Sequence, residues 1–405
     1  MAKRRLSRRF DWALWVGAGV LATCAALPMC AQDIMLPTDD YTPNVKKPKP
    51  RQDVLPVAPT QAPALTIPVA SLGYGAPSRT YLGRHYSLLS LDFLDDDRLL
   101  FTFRAPGLLP REANDVPTDY RMKAVVLALP DGKAVSEAVW TLSDRMRYLW
   151  VFRDGQFLLR DRDGFEIGDS SLKVRPLFRA VGQFLSVDVD PAQKVLAAKS
   201  SEPGSSDVTV RIVDRASGQI RQTNQFPAAQ QFSINSQGQL GTVHNKYDKW
   251  SFTLNAFDGG SKVLAHFDSN CVPNAAFIGD EEILVAGCNN YHIPKLTAVS
   301  SSGQVVWDSE MPVSYLTPLL VVGAKRFVRE SILFKKPLTA TTATTWVKVV
   351  KGQVVRVYES YTGKLLLEVP VSPVLDGGGN VAISPNGQRI AVLNNGSIQV
   401  FEVVN

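Results

Sequence analysis

Asn380-Val-Ala-Ile-Ser-Pro-Asn-Gly-Gln-Arg-Ile-Ala-Val392, followed by Gly396-Ser-Ile-Gln-Val-Phe-Glu-Val403, decides the fold. Two apolar segments flank a turn of Ser, Pro, Asn and Gly, and a third follows a second small-residue turn, which is the pattern of a strand meander. Earlier copies run on through a turn into one more strand, as at 212–220 (Ile-Val-Asp-Arg-Ala-Ser-Gly-Gln-Ile) and 357–365 (Val-Tyr-Glu-Ser-Tyr-Thr-Gly-Lys-Leu). The final unit stops at Asn405, one strand short of its predecessors. An open array would leave a sticky edge, so a ring that borrows its missing strand from the start of the chain is expected. Residues 79–83 lie at the right distance before the first unit to supply it.

The inner hairpin recurs seven times, at 91–103, 149–159, 187–197, 232–243, 275–285, 319–328 and 381–392. With Phe93, Val151, Val189, Ile234, Phe277, Val321 and Ile383 aligned, the spacings are 58, 38, 45, 43, 44 and 62. All-strand repeats of about 40 to 50 residues indicate propeller blades. A second signature follows most copies, a turn closed by glycine: Asp131-Gly132, Ser217-Gly218, Asp258-Gly259, Ser302-Gly303 and Thr362-Gly363. It marks the hairpin between the third and fourth strands, where a positive φ is needed. The expected fold is all-β, a seven-bladed β-propeller over 79–405 whose last blade is closed by an N-terminal strand.

The 383–392 stretch, Ile-Ser-Pro-Asn-Gly-Gln-Arg-Ile-Ala-Val, resembles the Ser-Pro-Asp-Gly repeat of bacterial exported WD40-like and YVTN propellers, and Thr362-Gly363-Lys364 is similar to the corresponding turn of quinoprotein-like propellers. The resemblance covers 79–405 and implies a fold, not an activity. Quinoprotein repeats place a docking tryptophan after this turn and only Trp307 stands there, so no cofactor is implied.

Residues 1–31 carry Lys3, Arg4, Arg5, Arg8 and Arg9 ahead of an apolar run from Trp12 to about Leu27, the order of an export signal peptide, with an uncleaved anchor as the alternative. Most of the net charge of +6 belongs to this leader, so no basic stripe for nucleic acid is expected. Residues 32–78 are expected to be a flexible linker, since nine prolines and few apolar residues between 33 and 79 offer little to bury. The chain is expected to be a periplasmic or extracellular monomer, touching a membrane only through an uncleaved leader. In that compartment Cys271 and Cys288, which the blade map brings to one face, are expected to form a disulfide.

That face collects the loops joining second to third strands and those leading into the next blade. Blade one inserts about 105–121, with Arg111 and Tyr120; blade six inserts about 335–352, with Lys336 and Trp346. Blade four adds His244, Tyr247 and Trp250, and blade five adds Asn290, Tyr291 and His292. Aromatics beside amides and charges suit a protein, peptide or glycan ligand. No catalytic residue, metal ligand set or cofactor motif is legible. The four histidines, His85, His244, His266 and His292, lack metal-ligand spacing, and neither a nucleophile elbow nor a phosphate loop occurs. Two other readings stay open: a lactonase-like propeller hydrolase using a central metal or a His and Asp pair, with His244 and His292 as first candidates, and an envelope-assembly scaffold tethered by its leader. The 161–164 stretch, Asp-Arg-Asp-Gly, reads as a strand turn rather than a calcium loop, and Asn395-Gly396-Ser397 as a hairpin turn rather than a glycosylation site.

Overall fold

The structure, a computed structural model, describes residues 61–75, 81–82, 89–104, 120–143, 147–202, 204–227, 231–246, 249–256, 259–279, 282–289, 294–310, 314–335, 349–375 and 378–404. Seven four-stranded antiparallel sheets follow one another along the chain. Their innermost strands are Leu89–Asp95, Leu149–Val151, Gln183–Val189, Phe232–Ile234, Asn274–Phe277, Ser314–Gly323 and Val381–Ile383. Each falls on one of the seven inner hairpins expected from the repeat.

Strand sequence follows position in the blade. A second strand is covered on both sides by neighbouring sheets, so it reads as an unbroken buried run, as Leu99 to Phe103 does in Arg98–Arg104. Outermost strands such as Ile220–Pro227 alternate exposed and half-buried residues, because one row of side chains faces water. Among the described residues there are seven apolar clusters, one at each junction between consecutive blades, including the junction of blade seven with blade one. Burying a Phe or Leu is worth about 1.5–3 kcal/mol, so the seven junctions, not any single sheet, hold the ring together.

Blade seven closes as expected in kind, through a strand from upstream of blade one, but the strand is Leu65–Pro68 and not 79–83. Leu65 pairs with Val400, Thr66 with Gln399, Ile67 with Ile398 and Pro68 with Ser397. Backbone bonds from Ala64 N to Val400 O (2.8 Å) and from Val69 N to Gly396 O (3.1 Å) extend the ladder. The physical reason is burial: Ile67, Val69, Leu72 and Tyr74 all enter the cluster between blades seven and one. Pro68 is tolerated because an outermost strand has one side that donates to no neighbour. Of 79–83 the structure describes Tyr81–Leu82 alone, a short strand that runs parallel to Val374–Leu375 outside the seven blades. The closing strand thus lies inside the stretch expected to be a linker; residues 1–60 are outside the described residues.

The turns bear out the repeat chemistry. Asp190, Asn235 and Ser384 hold equivalent inner turns by accepting backbone N–H groups, from Val195 (2.6 Å), Gln239 (2.8 Å) and Arg389 (2.9 Å). Asn395 and Gly396 both have positive φ (48° and 76°), the hairpin geometry read from the sequence. Asp161 pairs with Gly164 across a strand turn. The outer-hairpin glycines answer to a second demand as well. A Cβ on Gly132 would lie 2.7 Å from the Ile67 side chain, and one on Gly363 would lie 2.6 Å from the Trp307 ring. Trp307 stacks parallel to Phe327 and donates from Nε1 to Ser360 O at 2.7 Å, fastening blade five to blade six.

Candidate binding site on the loop face and along the axis

Of the candidate residues read from sequence, Tyr120, His244 and Trp250 are described; Arg111, Tyr247, Asn290, Tyr291, His292, Lys336 and Trp346 lie outside the described residues. Tyr120 opens the third strand of blade one, with the Arg104 guanidinium 4.8 Å from its ring centre. Arg104 ends the preceding strand, so this contact joins the two stems of the 105–119 insertion.

His244 sits on the second strand of blade four with Nε2 2.7 Å from Thr242 Oγ1. That hydroxyl donates to Thr253 O (3.2 Å) and accepts from Asn255 Nδ2 (2.9 Å). The tautomer of His244 sets which of the two atoms donates in the 2.7 Å bond. His244 is therefore committed to its own sheet at that nitrogen.

Trp250 lies at the start of the third strand of blade four, half-buried, and donates from Nε1 to Ser269 O at 2.9 Å. Ser269 stands in the connection into blade five and organises it: its Oγ donates to Cys271 O (2.7 Å) and accepts from Cys288 N (3.1 Å). Cys271 and Cys288 are bonded as expected, with Cα atoms 5.7 Å apart. Beyond Cys288, Asn289 Nδ2 donates to Glu310 Oε1 at 2.6 Å. Trp250, Ser269, the disulfide and Asn289 thus form one connected rim at the junction of blades four and five, and Tyr120 stands three blades away around the ring.

A further group lies along the axis; of its members the sequence names only Asp188, beside Asp190, as inner-turn chemistry, whereas Asp188 stands in the strand Gln183–Val189. Asp92 and Asp188 occupy the same register of the inner strands of blades one and three, each one residue before the apolar position that aligns the repeats. Arg147 enters blade two between them, and Lys199 lies beside Asp188 on the second strand of blade three. Water reaches these groups along the axis, leaving Arg147 exposed and Asp92, Asp188 and Lys199 partly so. Protein atoms nevertheless crowd closely around them. Burial raises the carboxyls of Asp92 and Asp188, opposed at Asp92 by the Ser90 hydroxyl (Oγ to Oδ2, 2.5 Å) and then Arg147, and at Asp188 by Lys199 and then Arg147. Burial lowers Arg147 and Lys199, opposed by the same carboxylates. Lys199 Nζ also lies 4.8 Å from the Phe232 ring centre of blade four. The signal was present in the sequence as Asp at one matching register of two repeats. Among the described residues no three His, Cys, Asp or Glu side chains gather to hold a metal.

No family model matches the chain, and none of the curated proteins does. Among solved structures it is similar to a chain of the mitotic checkpoint complex, at 12% identity and TM-score 0.47 over 85% of this chain and 96% of that one. It is also similar to the β-propeller domain of the trilobed protease from Pyrococcus furiosus, at 12% identity and TM-score 0.48 over 77% of this chain and 92% of that one. A third similarity is to acylaminoacyl peptidase from Pyrococcus horikoshii, at 13% identity and TM-score 0.48 over 76% of this chain. The chain spans 49% of that peptidase's length. Such likenesses say nothing about activity.

Proposed function

We propose that the chain is an exported propeller of the WD40-like or YVTN kind that binds a protein, peptide or glycan through its loop face. In this reading residues 1–31 direct export, the stretch after them is a flexible arm, and the propeller acts as a monomer. The carrying observation is the cross-linked rim at blades four and five. Seven junction cores already hold the ring, so a disulfide, a Ser269 hub and a Trp250 anchor at one loop cluster serve to preorganise that cluster, and preorganisation lowers the cost of binding. The disulfide agrees with an oxidising compartment, and no helix among the described residues is long and apolar enough to cross a membrane.

The test is capture. Immobilised protein lacking residues 1–31 is expected to retain a partner from envelope extract or medium, and Trp250→Ala or reduction of the disulfide to weaken retention. Equal capture by protein lacking the loops at 105–119 and 336–348 as well as Trp250 overturns the reading. The raised Asp92 and Asp188 carboxyls favour one competitor, a propeller hydrolase using an axial acid. Turnover of lactones or esters that is lost in Asp92→Asn or Asp188→Asn would establish it.

A further inference from the structure

The inner strands that ring the axis are almost free of charge. Apart from Asp95 at a turn, only Asp92 and Asp188 carry one. Two cations stand within electrostatic reach of them: Arg147, just before the blade two strand Leu149–Val151, and Lys199, on the second strand of blade three. The group is thus balanced, and signs alternate from Asp92 through Arg147 and Asp188 to Lys199. Asp144 and Arg145, beside Arg147 in sequence, add one charge of each sign and lie outside the described residues. Inner strands enter from the loop face, so Arg147 stands at the loop-side end of the group and the two carboxyls lie deeper.

Three of the four are tethered, and none to its opposite charge. Arg147 donates from Nε to Leu149 O at 3.2 Å, and its guanidinium lies 5.2 Å from the Trp150 ring centre. Its backbone is fixed in turn, since Arg160 Nε donates to Arg147 O (3.2 Å) and Arg160 N to Tyr148 O (2.8 Å). Lys199 rests on Phe232, and Asp92 accepts from Ser90. Among the described residues no ion pair within 4.0 Å joins any two of the four, and the Asp188 carboxylate accepts no hydrogen bond. Charges crowded by protein and held out of contact lose hydration that no pair returns. Seven junction cores hold the ring without them, so the arrangement is one that a bound group completes.

We propose that the axis below the loop face binds a small zwitterion, a molecule carrying both an ammonium and a carboxylate, such as an α-amino acid or a short peptide. Arg147 takes the carboxylate through its two terminal nitrogens, and Asp188 takes the ammonium. Asp92 and Lys199, each held by a neighbour, balance the field, so neither a lone anion nor a lone cation is drawn in. Water already reaches all four side chains, which gives the ligand its way in. The site belongs to blades one to three. It does not rest on the rim of blades four and five, and its test is independent of the capture experiment.

The experiment is calorimetric titration of the full chain with L-alanine in one arm and L-alanyl-L-alanine in the other, and with acetate and methylammonium as probes of one charge each. Saturable one-to-one binding of at least one zwitterion is expected, with both single-charge probes weaker by roughly tenfold or more. Binding of alanine alone marks an amino-acid site, and binding of the dipeptide alone marks a site for the two ends of a peptide. Arg147→Gln and Asp188→Asn each remove one charge and keep a polar side chain of similar size; each is expected to weaken binding roughly tenfold. Arg147 is exposed, so its variant folds whatever the fate of the other. Absence of heat from both zwitterions at about 10 mM, equal affinity for either single-charge probe, or wild-type affinity in Arg147→Gln overturns the proposal.

Discussion

A carboxyl on the axis responds to pH in the sense opposite to a surface one. Asp92 faces Ser90, Arg147 and Tyr148, and burial holds its pKa above the ordinary 3.8. Below 3.8 folded and unfolded chains both carry the proton. Between 3.8 and the raised folded value only the folded chain keeps it, so this residue's contribution to stability is full at low pH and is lost as pH rises through the folded pKa. Asn cannot release a proton but still accepts from Ser90. Asp92→Asn is therefore expected to gain stability relative to the wild type between about pH 4 and about pH 7, by roughly 1.4 kcal/mol per unit that the carboxyl is raised. Denaturant unfolding of both proteins at the two pH values checks this; a constant difference would refute it. Gly132 makes a second point at this scale, because positive φ (69°) and close approach to Ile67 coincide there. Gly132→Val is expected to destabilise by about 1–3 kcal/mol, seen as a lower urea midpoint with unchanged slope.

Among elements, the rim of blades four and five is tied by a disulfide and by the bonds of Ser269. Opening the Cys271–Cys288 link frees a loop spanning 17 positions and is expected to cost about 3 kcal/mol. It should also loosen the bonds of Ser269 to Cys271, Cys288 and Trp250, so that Trp250 fluorescence shifts red on reduction before global unfolding. Coincident loss of both signals would show the rim to have no local stability of its own. The inner hairpins were legible in sequence because turn chemistry and apolar alternation repeat together seven times. The closing strand is hard to place because Pro63 and Pro68 make its surroundings look like linker, and composition does not reveal that Ile67 and Val69 reach a pocket between blade one and the carboxy-terminal blade. The axial charges are hard to read for a related reason: Asp188 beside Asp190 looks like turn chemistry, and Asp92 matters only once two copies at one register are set around a ring. His244 was picked for its loop, whereas its neighbour Thr242 makes it part of the sheet.

For the whole molecule, closure is the property on which the others depend. Arg389 links the last blade to the first, bonding Glu402 Oε1 (2.8 Å) within blade seven and Asp96 O (3.1 Å) on blade one. Apolar closure is larger: Ile67, Val69, Leu72 and Tyr74 leave the junction if the strand is removed, forfeiting on the order of 6–12 kcal/mol as an upper bound. A chain beginning at residue 61 is expected to unfold cooperatively as a monomer. One beginning at residue 79 is expected to expose the Ser397–Glu402 edge and to self-associate, which light scattering after gel filtration distinguishes. Equal behaviour of the two chains would contradict the assignment of Leu65–Pro68.

Four residues of ladder, flanked by the Gln61 side chain on Glu402 O, are the first described contact between the amino-terminal side of the chain and the propeller. A pull applied at Gln61 would therefore be borne by this short latch, the outermost strand of blade seven, before the inner strands feel it. The circle would part at its seam, peeling from the outside inward, and it could snap shut again once the load is gone, because six blades stay folded as a template.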